Sequence, residues 1–239
     1  MVKADINKLD KSEKKIESMF DEIAPTYDKL NHLFTLNIDN KWRREIVEHS
    51  QERKYKSSII LDLASGTGDL TAELLKLKPE KIIAADISSK MLEIQSQKIS
   101  DERLELIQAS ADNLPFGDSY FDIITIGFGI RNFEDLGKSL KEIGRVLKPN
   151  GKLIILEMFK SKNFMTKIFN LYFGKVMPYF GNKISKSKYA YSYLFSSVDS
   201  FFTPDEFIDL SRKEGFDSEF RKNNFLGIVN TVYLNNNKF

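Results

Sequence analysis

Residues 59–69 read Ile-Ile-Leu-Asp-Leu-Ala-Ser-Gly-Thr-Gly-Asp, and a second apolar run, Ile82-Ile83-Ala84-Ala85, ends in Asp86. Short, nearly continuous apolar runs suit strands covered on both faces, which is the situation of a parallel sheet. Parallel neighbours need a crossover, so the glycine turn must open a helix that carries the chain back to a second strand. Further runs at 104–107, 121–126 and 153–156 repeat the pattern, with helical segments at about 69–77, 88–99 and 135–147 between most of them. Ser88 or Ser89 can cap the second of these helices. Gly127–Glu134 is too long and polar for a tight turn, so that crossover opens with a loop able to face a ligand. Pro149-Asn150-Gly151 marks a turn before the fifth strand.

Residues 158–200 interrupt the alternation with a segment rich in Phe, Tyr and Lys that reads as mostly helical. Thr203-Pro204-Asp205-Glu206 then starts a helix, with Thr as N-cap, Pro at the first position and Glu at the third. Gly215 is placed to end it, and β-like runs follow near 217–221 and 225–234. The expected fold is α/β, a doubly wound, mostly parallel seven-stranded sheet with an antiparallel edge hairpin. Residues 1–50 lie outside the alternation as an N-terminal helical arm, and 51–239 form the main domain with a lid insertion at about 158–200. In the arm, Ile16, Met19, Phe20 and Ile23 share a helical face, Pro25 stops that helix, and a loop rich in Asn and Asp precedes Trp42.

In such a sheet a ligand binds beyond the carboxyl ends of the strands. Gly66 and Gly68 let the backbone approach it, and Asp86, eighteen residues after Gly68, is placed to accept bonds from ribose hydroxyls. A nicotinamide cofactor would use the same layout, but Thr71 stands where its third glycine belongs. Asp69 also opens the helix where a pyrophosphate would sit. S-adenosylmethionine carries no phosphate but an ammonium and a sulfonium, so Asp62 and Asp69 suit it better. Ala109-Ser110-Ala111-Asp112 after the third strand offers amides and short polar groups to an adenine edge. A glycine pair alone is as often a plain tight turn; the ordered set of glycine loop, acid and polar loop argues for a ligand site instead.

Composition narrows the rest. Cys is absent and the two histidines, His32 and His49, share no metal-ligand spacing, so thiol chemistry and a metal centre are not expected. A net charge of +2 without a clustered basic patch gives no case for nucleic acid. The polar start and the lack of a long apolar run fit a cytoplasmic protein.

Several segments are far more specific. They are Tyr27-Asp28-Lys29-Leu30-Asn31 followed by Trp42-Arg43, the loop Gly127-Phe128-Gly129-Ile130-Arg131-Asn132, and Arg145-Val146-Leu147-Lys148-Pro149-Asn150-Gly151 leading to Glu157. The insertion adds Val176-Met177-Pro178-Tyr179-Phe180-Gly181 and Ala190-Tyr191-Ser192-Tyr193-Leu194. Through these the chain resembles the class I S-adenosylmethionine-dependent methyltransferases of menaquinone and ubiquinone biosynthesis, most of all the demethylmenaquinone branch. Leu30, Thr35, Asp39, Asn150 and Phe159 depart from the residues usual there, and Ser110 stands where many relatives have Asp or Asn. The resemblance implies a Rossmann-like fold, S-adenosylmethionine as cofactor, and C-methylation of a polyprenylated quinol. The cofactor residues would be Asp62, Gly66, Thr67, Gly68, Asp69, Asp86, Ser110, Ala111, Asp112 and Gly127.

Methylation of a ring carbon needs the ring hydroxyl ionised, although a free phenol has a pKa of about 10. Arg131 is the candidate to stabilise the phenolate and Asn132 to orient the hydroxyl, with Tyr27, Asp28, Tyr191 and Tyr193 as substrate contacts. A plainer role for Arg131 is pairing with Glu134 or Asp135, and for His32 and His49 a solvated or capping role. In 159–188, aromatics alternate with lysines, which fits either a lid packed on the domain or a peripheral contact with anionic lipid. An oligomer is compatible with the sequence. The competing functions are methyl transfer to a ubiquinone precursor or another lipophilic molecule, a nicotinamide oxidoreductase, and a non-enzymatic binding module.

Overall fold

The computed structural model describes residues 9–51, 58–161 and 190–237. Three helices lead the chain: α1 (Glu13–Ile23), α2 (Tyr27–Thr35) and α3 (Ile38–Gln51). The alternating part runs β1 (Ile59–Leu63), α4 (Asp69–Leu74), β2 (Lys81–Asp86), α5 (Ser89–Lys98), β3 (Leu104–Gln108), β4 (Phe121–Gly127), α6 (Leu136–Val146) and β5 (Leu147–Met158). It ends in α7 (Ala190–Asp199), α8 (Pro204–Lys213), β6 (Phe216–Phe225) and β7 (Val229–Asn236). The strands form one seven-stranded sheet in the order β3-β2-β1-β4-β5-β7-β6. The first five are parallel, and β7 runs antiparallel to both β5 and β6. The strand order reverses between β1 and β4, the switch point at which such sheets bind ligands.

Alternate residues of each central strand feed opposite faces of the sheet. Ile60, Ile82, Ile123 and Ile154 join one core with Leu70, Leu74 and Met91. Ile16, Met19, Ile23, Leu30, Trp42, Ile46 and Val47 lie in that same core, so the leading helices close this face of the sheet. Leu61, Ile83, Ile124 and Ile155 join the second core with Leu140, Ile143 and Phe207 of α6 and α8. Helix starts follow local chemistry. The Ser88 side chain accepts from Met91 N, Asp135 accepts from Lys138 N, and Thr203 with Glu206 forms a complete capping box behind Pro204.

Two expectations need correction. The Asn- and Asp-rich stretch after Pro25 is helix α2, because Leu30 is buried at 1% exposure and anchors a helical face that its polar neighbours disguise. Pro149-Asn150-Gly151 does not precede the fifth strand but lies inside it. The register jumps from Phe121↔Leu147 to Ile123↔Lys152, and Asn150 takes a left-handed φ of 60°, so the turn signal appears as a bulge. The aromatic–lysine stretch falls mostly on 162–189, outside the described residues. Phe159 is fully buried against Phe201 and Phe207 and is therefore a core residue.

Candidate active site

The glycine turn leaves β1 through three left-handed residues: Ala64 (φ 56°), Gly66 (φ 57°) and Gly68 (φ 88°). Gly66 is held by Asp86, whose Oδ2 accepts from Gly66 N at 2.8 Å while Oδ1 accepts from Ser88 N at 2.8 Å. Burial pushes the Asp86 pKa up to about 6 despite these amide donors. A cleft partly open to solvent lies over this turn. Its walls bring together Gly66, Asp86, Ser110, Ala111, Asp112, Gly127, Asn132 and Tyr27. Lys11, Glu13, Ile16 and Phe20 of the N-terminal segment form the opposite wall.

The charge of the cleft is informative. Among the described residues, Glu13, Asp86, Asp112 and Glu134 line it against one cation, Lys11. Lys11 donates to Arg131 O at 2.7 Å, and its pKa is lowered by burial and by the Arg131 charge. An excess of carboxylates disfavours a diphosphate and favours a cationic ligand, so the cleft fits an adenosine bearing a sulfonium and an ammonium.

A second cavity adjoins the first and shares Phe20, Tyr27, Phe128 and Asn132 with it. Met19, Ile23, Met158 and Leu194 give it apolar walls, and Arg131, Tyr193, Arg43 and Asp39 supply its polar groups. Arg131 is 4% exposed. It does not pair with Glu134 or Asp135. Its guanidinium donates to Glu157 Oε1 at 2.6 Å, to Phe128 O at 2.6 Å and to Ser197 Oγ at 3.3 Å. Glu157 is wholly buried at the end of β5, and burial raises its pKa although Arg131 and backbone amides oppose the shift. Tyr193 donates to Asn132 Oδ1 at 3.3 Å. Burial raises the Tyr27 pKa, so that residue stays a neutral phenol. Tyr191 belongs to α7, but its side chain is outside the described part of the chain.

Other expected site residues lie beneath or beside the clefts rather than in their walls. Asp62 accepts from Thr71 Oγ1 at 2.6 Å and Thr125 Oγ1 at 2.9 Å, tying α4 to β1 and β4 under the glycine turn. Burial pushes its pKa to about 6. Gly68 is needed for packing, since a Cβ there would fall 2.6 Å from Gln95 Cγ. Thr67 donates to Asp28, and Lys98 bridges Asp28 and Asp69. Asp69 also lies 3.5 Å from His32 Nε2 and 3.7 Å from an Arg43 nitrogen. Its carboxylate is thus already paired with cationic side chains of the protein. His32 is likewise not simply solvated: its Nδ1 lies 2.9 Å from Asp39 Oδ2. The oxygens of Asp39 also accept from Arg43 at 2.5 Å and Thr35 at 2.7 Å. Burial raises the Asp39 pKa, but these partners outweigh it and hold the carboxyl below its usual range.

Sequence reasoning passed over Glu13, Phe20, Phe128 and Glu157 as parts of the site. Phe128, left-handed at φ 59° between two glycines, was the legible one, because a bulky residue in that setting marks a constrained loop. Glu157 could be paired with Arg131 only once β4 and β5 were known to be neighbours.

Comparison with known proteins agrees with this geometry. The model of the ubiE/COQ5 methyltransferase family matches residues 8–233. A demethylmenaquinone methyltransferase of Chlorobaculum parvum is 42% identical over 214 residues, covering 86% of each chain. One of Thermotoga maritima is 42% identical over 214 residues, covering 88% of this chain and 91% of its own. A ubiquinone/menaquinone biosynthesis C-methyltransferase of Geotalea daltonii is 40% identical over 234 residues, covering 95% and 97%. Among solved structures, a putative S-adenosylmethionine-dependent methyltransferase of Methanococcus maripaludis superposes with a TM-score of 0.62 at 21% identity, covering 98% and 97%. That likeness bears on the fold. With the family match spanning nearly the whole chain, and relatives above 40% identity over most of it, the chain belongs to the ubiE/COQ5 methyltransferase family.

Proposed function

We propose that the protein transfers a methyl group from S-adenosylmethionine to a ring carbon of demethylmenaquinol, giving menaquinol. The observation that carries this is the pair of adjoining cavities: an acid-lined cleft over the glycine turn, and an apolar cavity with a buried guanidinium, joined through Tyr27, Phe128 and Asn132. Their shared wall is where a methyl donor in one and a ring in the other would meet. The names of the Chlorobaculum and Thermotoga relatives support the choice of acceptor.

When bound, S-adenosylmethionine supplies an electrophilic methyl group on sulfur. Asp86 would hold its ribose, and Ser110, Ala111 and Asp112 its adenine edge. Asp112 already accepts from the Ser139 hydroxyl, which fixes its orientation. In the second cavity Arg131 favours the ionised ring hydroxyl, because a guanidinium stabilises an oxyanion while staying protonated itself. Phe128 O and Glu157 fix the guanidinium in place, so little reorganisation is needed when charge develops on the ring oxygen. Asn132, oriented by Tyr193, supplies an amide donor for the ring hydroxyl, and Tyr27 borders both reactants. The apolar walls exclude water and accommodate the first part of a prenyl tail.

The test is transfer of labelled methyl from S-adenosylmethionine to demethylmenaquinol, with a ubiquinone precursor in parallel. The expected result is labelled menaquinol and little or no label on the ubiquinone precursor. The Geotalea relative, whose name covers both pathways, makes the precursor the second acceptor to examine. Arg131→Ala should bind cofactor normally and lose turnover. A wild-type rate in that variant, or no label on demethylmenaquinol, overturns the assignment.

A further inference from the structure

The corner between α2 and α3 differs from the rest of the surface. Leu33, Leu36 and Ile38 are 54%, 76% and 38% exposed, three large apolar side chains within six residues. The only other large hydrophobics this exposed among the described residues are Phe202, Phe220 and Leu226, far apart in sequence. Leu36 also caps α2 in a left-handed conformation, φ 53°, where glycine or asparagine would cost less. A bulky apolar residue held in that conformation with its side chain in water has nothing in the fold to recommend it. Within residues 29–44 the exposed charges have one sign. Among the described side chains between residues 29 and 44, the exposed ones are Lys29, Lys41, Arg44, the three apolar residues and Asn37. The acid in this stretch, Asp39, is buried.

We propose that this corner docks the protein on an anionic lipid bilayer, with Leu33, Leu36 and Ile38 entering the interface and Lys29, Lys41 and Arg44 facing the headgroups. Exposed apolar side chains ringed by cations suit that surface, since the acyl boundary takes up the first and anionic lipid attracts the second. The corner is also continuous with the acceptor cavity, because Thr35 and Asp39 of the same two helices line it. The functional sense of the docking rests on the proposed acceptor being a lipid-borne quinol, which would then enter the cavity from the bilayer. This surface is distinct from the aromatic–lysine stretch that the sequence first suggests.

The experiment is co-sedimentation of the full chain with vesicles of phosphatidylglycerol and phosphatidylcholine, and with vesicles of phosphatidylcholine alone. The wild type is expected to sediment with the anionic vesicles only, less so as salt is raised. Leu33→Ser/Leu36→Ser/Ile38→Ser should lower the partition coefficient by about tenfold or more, since each side chain carries several buried methylenes. The triple variant should retain wild-type methyl transfer to a tail-less, water-soluble demethylnaphthoquinol, which shows that it is folded. Failure of the wild type to sediment, or equal sedimentation of the triple variant, overturns the proposal. So does a wild-type dimer in light scattering that the triple variant loses, because a second copy would then cover the patch. Vesicle binding without methyl transfer to any quinol would overturn the proposed acceptor while leaving the docking intact.

Discussion

Asp86 accepts bonds from ribose hydroxyls most strongly when ionised, yet its burial favours the neutral acid and raises its pKa to about 6. Cofactor affinity should therefore fall by about tenfold at about pH 5 relative to pH 8, as the carboxyl protonates. Calorimetric titration across that range checks this, and Asp86→Asn should bind weakly with no pH dependence between these limits. A flat wild-type profile would show that another group sets the affinity. Stability should respond with the opposite sign. The native protein keeps the Asp86 proton up to about 6, whereas an unfolded Asp releases it at about 3.9. Between those values the native state binds more protons, so raising the pH through the window removes stability contributed by this group. Asp62, also pushed up to about 6, adds to the same trend. Arg131 and Glu157 differ in another way. Glu157 can take a proton if Arg131 is lost, but the guanidinium cannot give one up. Glu157→Gln should thus cost about 3 kcal/mol of stability, seen in chemical unfolding, and more than Arg131→Met does. Turnover should rank the two the other way, with Arg131→Met losing about 10²-fold or more.

Between elements, the tightest fit at the switch point is that of the loops after β1 and β4. A Cβ on Gly129 would fall 2.5 Å from the Cβ of Ala64, itself in a left-handed turn with little room to give. Gly129→Ala should cost about 1–3 kcal/mol and shift the loop bearing Arg131 and Asn132, weakening cofactor binding and turnover together. Thermal melting and titration of the variant check both, and wild-type behaviour would mean that the two loops slide freely. The strands on either side of this junction were legible in the sequence because their runs are short and almost wholly apolar, and the helix after β4 carries its own cap in Asp135. Helix α2 was not, since Asp28 and Asn31 speak for a loop, and the burial of Leu30 in the core outweighs them. The bulge in β5 shows the reverse case. Its residues take the turn conformation that their types favour, but pairing resumes at Lys152, and pairing is decided by the neighbouring strand. The site was legible to the same depth. Gly66 and Asp86 stand out by type and position, whereas Arg131 stands out only through the motif that carries the family resemblance. The neutralisation of Asp69 by Lys98, and the pairing of Arg131 with Glu157, join residues that only the completed sheet brings together.

At the scale of the molecule, the sheet supplies the floor of the cofactor cleft and α1 supplies its far wall. The helix is tied across three strand ends. Asp21 accepts from Ser88 Oγ at 2.6 Å after β2, Glu17 accepts from Gln108 at 3.2 Å and Glu13 from Ser110 at β3, and Glu13 N donates to Glu134 at 3.0 Å after β4. Two of these four bonds are exposed and two half-buried, so each contributes little, while Ile16, Met19 and Ile23 anchor the helix to the core. A wall held in this manner opens at far lower free energy than the sheet unfolds. Ile16 and Phe20 line the cleft directly, so a bound adenosine would add contacts to α1 that the free protein lacks. Ligand binding then acts on the opening equilibrium by mass action and favours the closed helix. Hydrogen exchange should therefore show the amides of α1 gaining about tenfold or more protection on addition of S-adenosylmethionine, while those of β1, β4 and β5 change little. Ile16→Ser, which removes an apolar contact from the wall and leaves the sheet intact, should reduce that gain and weaken binding in parallel. Equal protection of helix and strands would mean that the cofactor stabilises the whole fold, and that α1 is a fixed wall and not a door.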